Sequence, residues 1–276
     1  MPSRLRQALL AQEIDLGVRG QHVHAANEFL LVVRGRGRHD TNLGAVAFAR
    51  GDIHFFPRGQ AHEHVARAGG ATGRSVRFRG DALLSQSEVD RQAMVRLEFL
   101  RRRAYAGENR IDLPVDSARR MRDLFARALD EDSRRESGYR CLLKGIALEM
   151  IVLVARGLGF RWDDRRGATS RVLDVLEAIE RDPTRPVKVD EMADLARLSR
   201  SQFHAAFKKV TGTTLMDHVT RIRVNAACRH LVGSRMPIVE VCYESGFESV
   251  SRFYEAFKRV TGLAPGAYRL KRAREV

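Results

Sequence analysis

The chain has 276 residues, with 49 Lys and Arg against 34 Asp and Glu, so its formal net charge is +15. The length is sufficient for two domains, each with its own hydrophobic core, and the charge favours a nucleic-acid partner. No apolar run approaches the roughly 20 residues of a membrane-spanning helix, and the N-terminal segment lacks a signal-peptide core, so we expect a cytoplasmic protein without a membrane partner.

Residues 14 to 80 contain short segments with the composition of β-strands. The segments are FLLVV, AVAFA, IHFF, HEHVA and SVRF, and turn residues, most often glycine, follow each of them. Strands that recur every 8 to 12 residues are typical of a β-sandwich or β-barrel. The N-terminal part of the chain is therefore predicted to be an all-β domain.

Six of the nine histidines lie between His22 and His64. Side chains at positions i and i+2 of a strand point to the same side, so His22 and His24 can face one cavity that Glu28 and His62 could close. Three imidazoles and a carboxylate suit a divalent metal such as Mn, Fe, Ni or Zn. The alternative is that these four side chains hydrogen-bond a small molecule directly. The other three histidines of the segment are expected to be ordinary surface or strand residues: His39, His54 and His64.

These histidines belong to two motifs that resemble the two conserved motifs of cupins, which are small β-barrels of the jelly-roll type. In that family the equivalent His, His, Glu and His are metal ligands, and all four positions are kept here. The motifs depart from the family at Ala66, where asparagine is frequent, and at Gly17, which lies one residue out of place. The resemblance implies a cupin-like domain that binds a small effector, such as a sugar or related metabolite, although this segment offers no Trp or Tyr on which a sugar could stack.

Residues 83 to 158 have a helical pattern in three segments. The third, YRCLLKGIALEMIVLVARGL, is apolar on nearly every side, so it must be covered by other elements or by a second subunit. Arg101 to Arg103 are expected to form a solvated face, with an acidic partner as the alternative. Residues 159 to 170, which include the single tryptophan, Trp162, are the predicted linker. The three cysteines are expected to be small buried residues: Cys141, Cys228 and Cys242.

The C-terminal part of the chain contains a repeat. FHAAFKKVTG begins at Phe203 and FYEAFKRVTG begins at Phe253, which indicates one supersecondary unit used twice. In each copy the apolar residues have the spacing of one helix face.

A short helix and a tight turn precede each copy of the repeat. Asp190 is the predicted N-cap of the first short helix, and Ser199 opens the repeat helix that follows. Before the second copy, Pro237 suits a first helical position, Gly246 supplies the turn and Ser249 is the predicted cap. Each unit therefore has the pattern of a helix-turn-helix, whose second helix enters the DNA major groove.

The segment from Leu215 to Val232 is predicted to be one helix between the two units. About 18 residues span roughly 27 Å, whereas one turn of B-DNA measures about 34 Å. The two recognition helices could therefore enter successive major grooves on one side of the duplex.

The C-terminal part of the chain resembles the AraC/XylS family of transcription regulators over about 100 residues. The family signature is present as Ile238, Gly246-Phe247, Phe253, Phe257-Lys258, Gly262, Pro265 and Tyr268-Arg269. One departure is Arg197, where the family usually has glycine in the turn of the first unit, and it makes that unit the less standard of the two. The resemblance implies a transcription regulator, activation being commoner than repression in the family. It also implies a homodimer formed by the helices of residues 83 to 158, with promoter DNA and RNA polymerase as partners.

The exposed N-terminal faces of the two recognition helices should supply the contacts to bases. The predicted base-contacting residues are Arg200, Ser201, His204 and Ala205 in the first unit, and Val250, Ser251, Tyr254 and Glu255 in the second. The predicted phosphate-contacting residues are Lys208, Lys209, Arg252, Lys258 and Arg259, each of which could instead be an ordinary surface charge. Arg200 is the best candidate to bind guanine, whereas Ala205 can contact only a thymine methyl group.

The sequence thus predicts a multidomain α+β protein. Residues 1–82 form a cupin-like effector-binding barrel, 83–158 a helical dimerisation region, 159–170 a linker, and 171–276 an all-α DNA-binding domain with two helix-turn-helix units. The function is that of an effector-responsive, non-enzymatic transcription regulator. One alternative is a metal-dependent cupin enzyme, such as an isomerase or dioxygenase, which the doubled DNA-binding module argues against. The other is an effector-independent dimeric DNA-binding protein.

Overall fold

The computed structural model describes residues 9–17, 22, 24, 26–41, 43–83, 88–160 and 168–273. These residues belong to two compact units, which consist largely of residues 1–163 and 164–276. The first unit combines β-strands with helices, and the second is helical.

The strands of the first unit form two antiparallel sheets. They are β1 (Leu9–Asp15), β2 (Asn27–Arg34), β3 (Arg36–Thr41), β4 (Gly44–Ala49), β5 (Ile53–Phe56), β6 (His62–Ala66), β7 (Thr72–Phe78) and β8 (Arg110–Ile111). The larger sheet has the order β1-β7-β2-β5-β8, and the smaller has the order β4-β3-β6. Leu30 and Phe56 of the larger sheet share a buried cluster with Phe48 of the smaller one. The all-β prediction is confirmed, but the barrel is corrected to two separately hydrogen-bonded sheets within the described residues.

Gly35 lies at the first point where the chain passes from the larger sheet to the smaller one. It lies between β2 and β3 with a φ of 86°, in the left-handed region that favours glycine. A Cβ atom at this position would lie 2.3 Å from the carbonyl oxygen of Gly70. The chain therefore leaves the larger sheet at Gly35 and continues in the smaller one.

Four helices complete the first unit: α1 (Gly80–Leu83), α2 (Glu88–Tyr105), α3 (Val115–Arg134) and α4 (Tyr139–Gly157). Asp132 of α3 is buried and accepts a hydrogen bond of 2.8 Å from the backbone N–H of Ala11 in β1. The apolar character of α4 is confirmed, because residues on several of its sides are buried. Cys141, however, is exposed, which corrects the expectation for that cysteine, since it lies in the first turn of α4 outside the buried side.

The prediction of a solvated face at Arg101 to Arg103 is wrong for Arg101. Its side chain is buried, pairs with the buried Glu98 at 2.5 Å and donates from Nε to Asn27 Oδ1 at 3.1 Å. The guanidinium therefore connects α2 to the first residue of β2. A run of three arginines could not reveal this from the sequence, because Asn27 is 74 residues away along the chain.

The second unit contains α5 (Ala168–Arg181), α6 (Val189–Leu195), α7 (Arg200–Thr211), α8 (Leu215–Gly233), α9 (Ile238–Glu244), α10 (Val250–Thr261) and α11 (Pro265–Ala273). Residues 161–167 of the predicted linker, with Trp162, lie outside the described residues, whereas residues 168–170 already belong to α5. The N-cap of α6 is Lys188, so the prediction of Asp190 as a cap is wrong. Asp190 instead lies in the first helical turn, where a negative charge is favourable.

The repeat in the sequence is a repeat in the structure. Helices α7 and α10 both end at a glycine with a φ near 75°, Gly212 and Gly262. In the residue before each glycine, Thr211 Oγ1 donates to Phe207 O at 2.8 Å, and Thr261 Oγ1 donates to Phe257 O at the same distance. The N-termini differ: Ser199 forms a full capping box with Gln202, whereas Ser249 occupies the N-cap of α10 without a side-chain hydrogen bond.

The turns of the two helix-turn-helix units have the same backbone geometry although their residues differ. Arg197 has a φ of 52° and its N–H donates to Asp194 O at 2.9 Å, and Gly246 has a φ of 86° and donates to Tyr243 O at 2.9 Å. The departure from the family pattern therefore places a side chain in a left-handed conformation, which is costly for residues other than glycine.

Replacing Arg197 with glycine is expected to raise the free energy of unfolding of the helical C-terminal unit by roughly 0.5–1 kcal/mol. The replacement relieves the backbone strain, and the greater conformational entropy of glycine in the unfolded chain offsets only part of this gain. Urea denaturation of the variant measures this change. The matched control is Gly246→Ala, which should destabilise, since a Cβ atom there would lie 2.8 Å from Thr184 Cα. Loss of stability in Arg197→Gly would contradict the assignment of strain to this turn.

Candidate effector site and nucleic-acid interface

The four predicted ligand positions lie together in the structure. One ligand atom from each of four residues, His22, His24, Glu28 and His62, lies within 4.8 Å of the others. Nε2 of His24 is 3.1 Å from Glu28 Oε2, and Nε2 of His62 is 3.3 Å from the same oxygen. Glu28 is fully buried in β2, and His62 is buried at the start of β6. The arrangement has the donor set of a divalent-metal site.

Glu28 is held from its other side by two residues of β7. Arg77 Nε donates to Oε1 at 3.0 Å, and Ser75 Oγ donates to the same oxygen. The register places Arg77 directly opposite Glu28, and Ser75 lies two residues away on the same face. Binding of Oε1 by these outer residues orients the carboxylate and leaves Oε2 toward the imidazoles. Sequence reasoning missed Ser75 and Arg77; their alternation in the segment SVRF was the only available signal.

The environment favours the ionised form of Glu28. Burial raises the pKa of this carboxyl, but His24, His62 and Arg77 together lower it well below its usual value. The carboxylate is therefore charged at neutral pH. An ionised carboxylate beside imidazoles is the protonation state that metal binding requires.

Three further histidines of the first unit are strand residues, as one of the two expectations had it, but they are not at the surface: His39, His54 and His64 are at most 3% exposed. Nδ1 of His39 lies 2.8 Å from Nδ1 of His64, and the ring of His39 stacks on Phe48 with centroids 4.5 Å apart. The ring of Phe56 stacks on His62 at 4.1 Å. Imidazoles and phenylalanines thus continue from the Glu28 site into the space between the sheets.

These inner histidines are neutral and partly unsatisfied. Burial lowers the pKa of His54 and of His64 to about 3, and it lowers the pKa of His39 further. Within the described chain, both ring nitrogens of His54 and Nε2 of His39 are buried without a hydrogen-bond partner. Each such group costs about 1–3 kcal/mol. Groups of this kind are normally satisfied by a ligand or by ordered water.

The predicted DNA-contacting residues lie on the outer faces of α7 and α10. In α7 the buried stripe is Phe203, Ala206, Phe207 and Val210, and Arg200, Ser201, His204, Ala205, Lys208 and Lys209 are exposed. In α10 the buried residues are Phe253, Ala256 and Phe257, and Ser251, Arg252, Tyr254, Glu255, Lys258 and Arg259 are exposed. Val250 is half-buried and packs on the core of the second unit, so it is the least accessible of the set.

Two of the exposed cations have carboxylate neighbours. Arg200 lies 3.5 Å from Asp190, and Arg259 lies 3.6 Å from Asp217. All four side chains are mainly solvent-exposed, so each pair contributes at most about 1 kcal/mol. Either arginine can therefore exchange its partner for a base or a phosphate at little cost.

Comparison with known families agrees with both units. A family described as the AraC-like ligand binding domain matches residues 7–140, and a helix-turn-helix domain family matches residues 192–271. Among the described residues, no helix is long and apolar enough to cross a membrane.

Curated relatives match mainly the C-terminal part of the chain. An AraC-like transcription regulator of Streptomyces lividans is 37% identical over 98 residues, which are 36% of this chain and 32% of that protein. The Transposon Tn10 TetD protein of Escherichia coli is 30% identical over 115 residues, 42% of this chain and 83% of that protein. The chain thus spans about a third of the length of the Streptomyces relatives it matches.

The whole chain also resembles a solved structure. ToxT from Vibrio cholerae aligns with a TM-score of 0.54 over 96% of this chain and 98% of that one, at 14% identity. At this identity the likeness concerns the fold, in which a sheet-rich N-terminal unit precedes a helical C-terminal unit.

Proposed function

Since the chain belongs to the AraC family of transcription regulators, we propose that its first unit binds a small effector and that its second unit reads promoter DNA in response. The observation that carries the proposal is the pair of helix-turn-helix units, whose recognition helices expose polar and basic faces. The proposal places the protein in the cytoplasm, where promoter DNA is accessible.

The effector site is proposed to centre on Glu28. The histidines His22, His24 and His62 would hold one divalent ion, Mn, Fe, Ni or Zn, together with Glu28 Oε2. The orientation of the carboxylate by Ser75 and Arg77 supports this proposal. Such an ion supplies a Lewis acid to which an oxygen or nitrogen of the effector can bind. The alternative remains that the four side chains hydrogen-bond the effector directly.

The chemical character of the effector follows from the inner histidines. His54 and His39 offer buried ring nitrogens. In a neutral imidazole, one nitrogen donates a hydrogen bond and the other accepts one. Phe48 and Phe56 supply aromatic faces beside them. We therefore propose a compact effector that combines hydrogen-bonding groups with an apolar part, a description that includes a sugar-related metabolite.

The proposed assembly is a homodimer formed through the helices that follow the strands. Leu142 on α4 is 49% exposed, and Leu148 and Val152 on the same helix are half-buried. An apolar row of this kind supports a helix-to-helix contact with a second copy. A dimer would place two DNA-binding units on repeated half-sites, from which contact with RNA polymerase could activate transcription.

A regulatory role is proposed in preference to a catalytic one. The four-residue site alone would also suit a metal-dependent isomerase or dioxygenase, so it does not decide between the two. The DNA-binding module favours regulation, because an enzyme acting on a small molecule has no use for two recognition helices. An effector-independent DNA-binding protein is disfavoured by the unsatisfied polar groups in the interior of the first unit.

The roles of Arg200 and Lys208 test the DNA-binding proposal. Arg200→Ala is expected to reduce discrimination at particular base pairs, costing about 1–3 kcal/mol for the preferred sequence. Lys208→Ala should weaken binding to all sequences alike and reduce the salt dependence, since it removes a phosphate contact. Binding to duplexes selected from a randomised library measures both effects, and a uniform loss in Arg200→Ala would refute base contact by Arg200.

A further inference from the structure

An acidic side chain lies in the middle of the cationic face of α10. Glu255 is exposed, and its neighbours one helical turn away are Ser251, Arg252, Lys258 and Arg259. The buried residues of α10 are on the opposite side of the helix. Glu255 is therefore central to the surface that the proposed function directs toward DNA.

This carboxylate is not neutralised by its neighbours. In the ranges that the structure covers, neither Glu255 nor Arg252 forms an ion pair, although an Arg and a Glu three residues apart on a helix can reach each other. Arg259, the other nearby arginine, pairs with Asp217 of α8 instead. The acceptor positions of Glu255 and the donors of Arg252 thus remain available to a ligand.

Arg252 and Glu255 share one cleft in the second unit. The cleft has a volume of about 700 Å³, and its lining includes Arg252, Glu255 and Arg259 of α10 with Met216 and Thr220 of α8. The two available charged groups therefore open into the same space. A partner that enters it meets a guanidinium and a carboxylate one helical turn apart.

DNA chemistry restricts what an unpaired carboxylate can do there. Duplex DNA carries one negative charge per about 1.7 Å of its axis, so a carboxylate near the backbone is repelled. The favourable position for it is beside an exocyclic amine in the major groove, and glutamate accepts a hydrogen bond from cytosine N4. The guanidinium of Arg252 fits O6 and N7 of guanine in the same groove.

We propose that Glu255 is a specificity-determining residue that selects cytosine in the half-site of the second helix-turn-helix unit, with Arg252 binding guanine at a neighbouring base pair. The inference rests on the proposed entry of α10 into the major groove. It reassigns Arg252 from phosphate contact to base contact. The first helix-turn-helix unit has Gln202 and Ala205 at the equivalent positions, so the requirement for cytosine applies to one half-site only.

Selection from a randomised double-stranded DNA library by the full chain, followed by binding titrations on the enriched duplexes, tests this assignment. The protein should prefer cytosine at one position by about 5- to 150-fold. Glu255→Gln should lose that preference, with adenine becoming competitive, because glutamine pairs with adenine N6 and N7. Binding to unrelated sequences should rise in this variant as repulsion from the phosphates is removed.

The matched control is Glu244→Gln, which removes another exposed carboxylate, on α9, and should leave the base preferences unchanged. Glu255→Ala provides a second variant, expected to accept all four bases at the cytosine position. An unchanged preference in both Glu255 variants, or a loss spread over every position of the site, would overturn the inference while leaving sequence-specific binding intact. Failure of the unaltered protein to enrich any sequence would instead overturn the proposed function.

Discussion

Replacing Arg77 with methionine is expected to lower the free energy of unfolding of the first unit by about 3–5 kcal/mol, because it leaves the carboxylate of Glu28 buried without its cation. Glu28 is fully buried, and the Arg77 side chain is only 20% exposed, so water cannot replace the guanidinium effectively. Native-state hydrogen exchange of the β2 and β7 amides measures the loss in the unit concerned.

Arg74 supplies a matched control for this prediction. It lies on the same strand, but its side chain is 32% exposed and its partner Glu13 is 73% exposed, at 3.5 Å. Arg74→Met should therefore cost no more than about 1 kcal/mol. Combining Glu28→Gln with Arg77→Met should recover much of the loss, since no charge remains buried. Equal losses in the two arginine variants would show that burial of Glu28 is not the cause.

Acid is expected to destabilise the first unit in a pH range set by its inner histidines. Burial, together with the charge of Arg110, lowers the pKa of His54 to about 3, and burial also lowers the pKa of His39. In the unfolded chain both should titrate near 6.5. Between these values the unfolded state binds more protons than the folded state, so stability falls as the pH falls.

The two histidines together should reduce the free energy of unfolding by about 3 kcal/mol between pH 6.5 and pH 5, and His64 should add to this loss. Urea denaturation at a series of pH values measures the slope. In His54→Phe the slope should decrease by about 1.4 kcal/mol per pH unit. Protonation of Glu28 also lowers the free energy of unfolding, but only at lower pH, below the pKa near 4.3 that its carboxyl has in the unfolded chain. A slope that His54→Phe leaves unchanged would contradict the buried, neutral state of this residue.

The parts of the fold that local patterns determine were predictable. The i, i+2 spacing of His22 and His24 is not among them, because both residues lie between β1 and β2 rather than in one strand, whereas the 50-residue repeat and the apolar stripes of α7 and α10 depend on residues that are close in sequence. The long helix between the two units was likewise placed to within one residue, as α8. In each case the periodicity of one element carries the whole signal.

Features that depend on distant partners were not predictable. The buried Arg101 binds Asn27, which is 74 residues away, and Ser75 and Arg77 reach Glu28 only through the pairing of β7 with β2. The inner histidines are buried by sheet packing, which one strand does not reveal. The two-sheet architecture is of the same kind, because among the described strands the chain passes between the sheets four times, and a turn residue such as Gly35 does not show in the sequence which sheet the next strand joins.

The most direct test of a sensing role for the Glu28 site is elemental analysis of the purified protein beside a His24→Ala variant, followed by titration of both with a duplex selected from the randomised library. The account predicts about one divalent ion per chain in the unaltered protein, no ion in the variant, and a different DNA affinity in the variant. Without an ion in either protein, a changed DNA affinity of the variant would assign the four residues to direct binding of an organic effector. Equal ion content and equal DNA affinity in the two proteins would contradict the assignment of this site as the sensor.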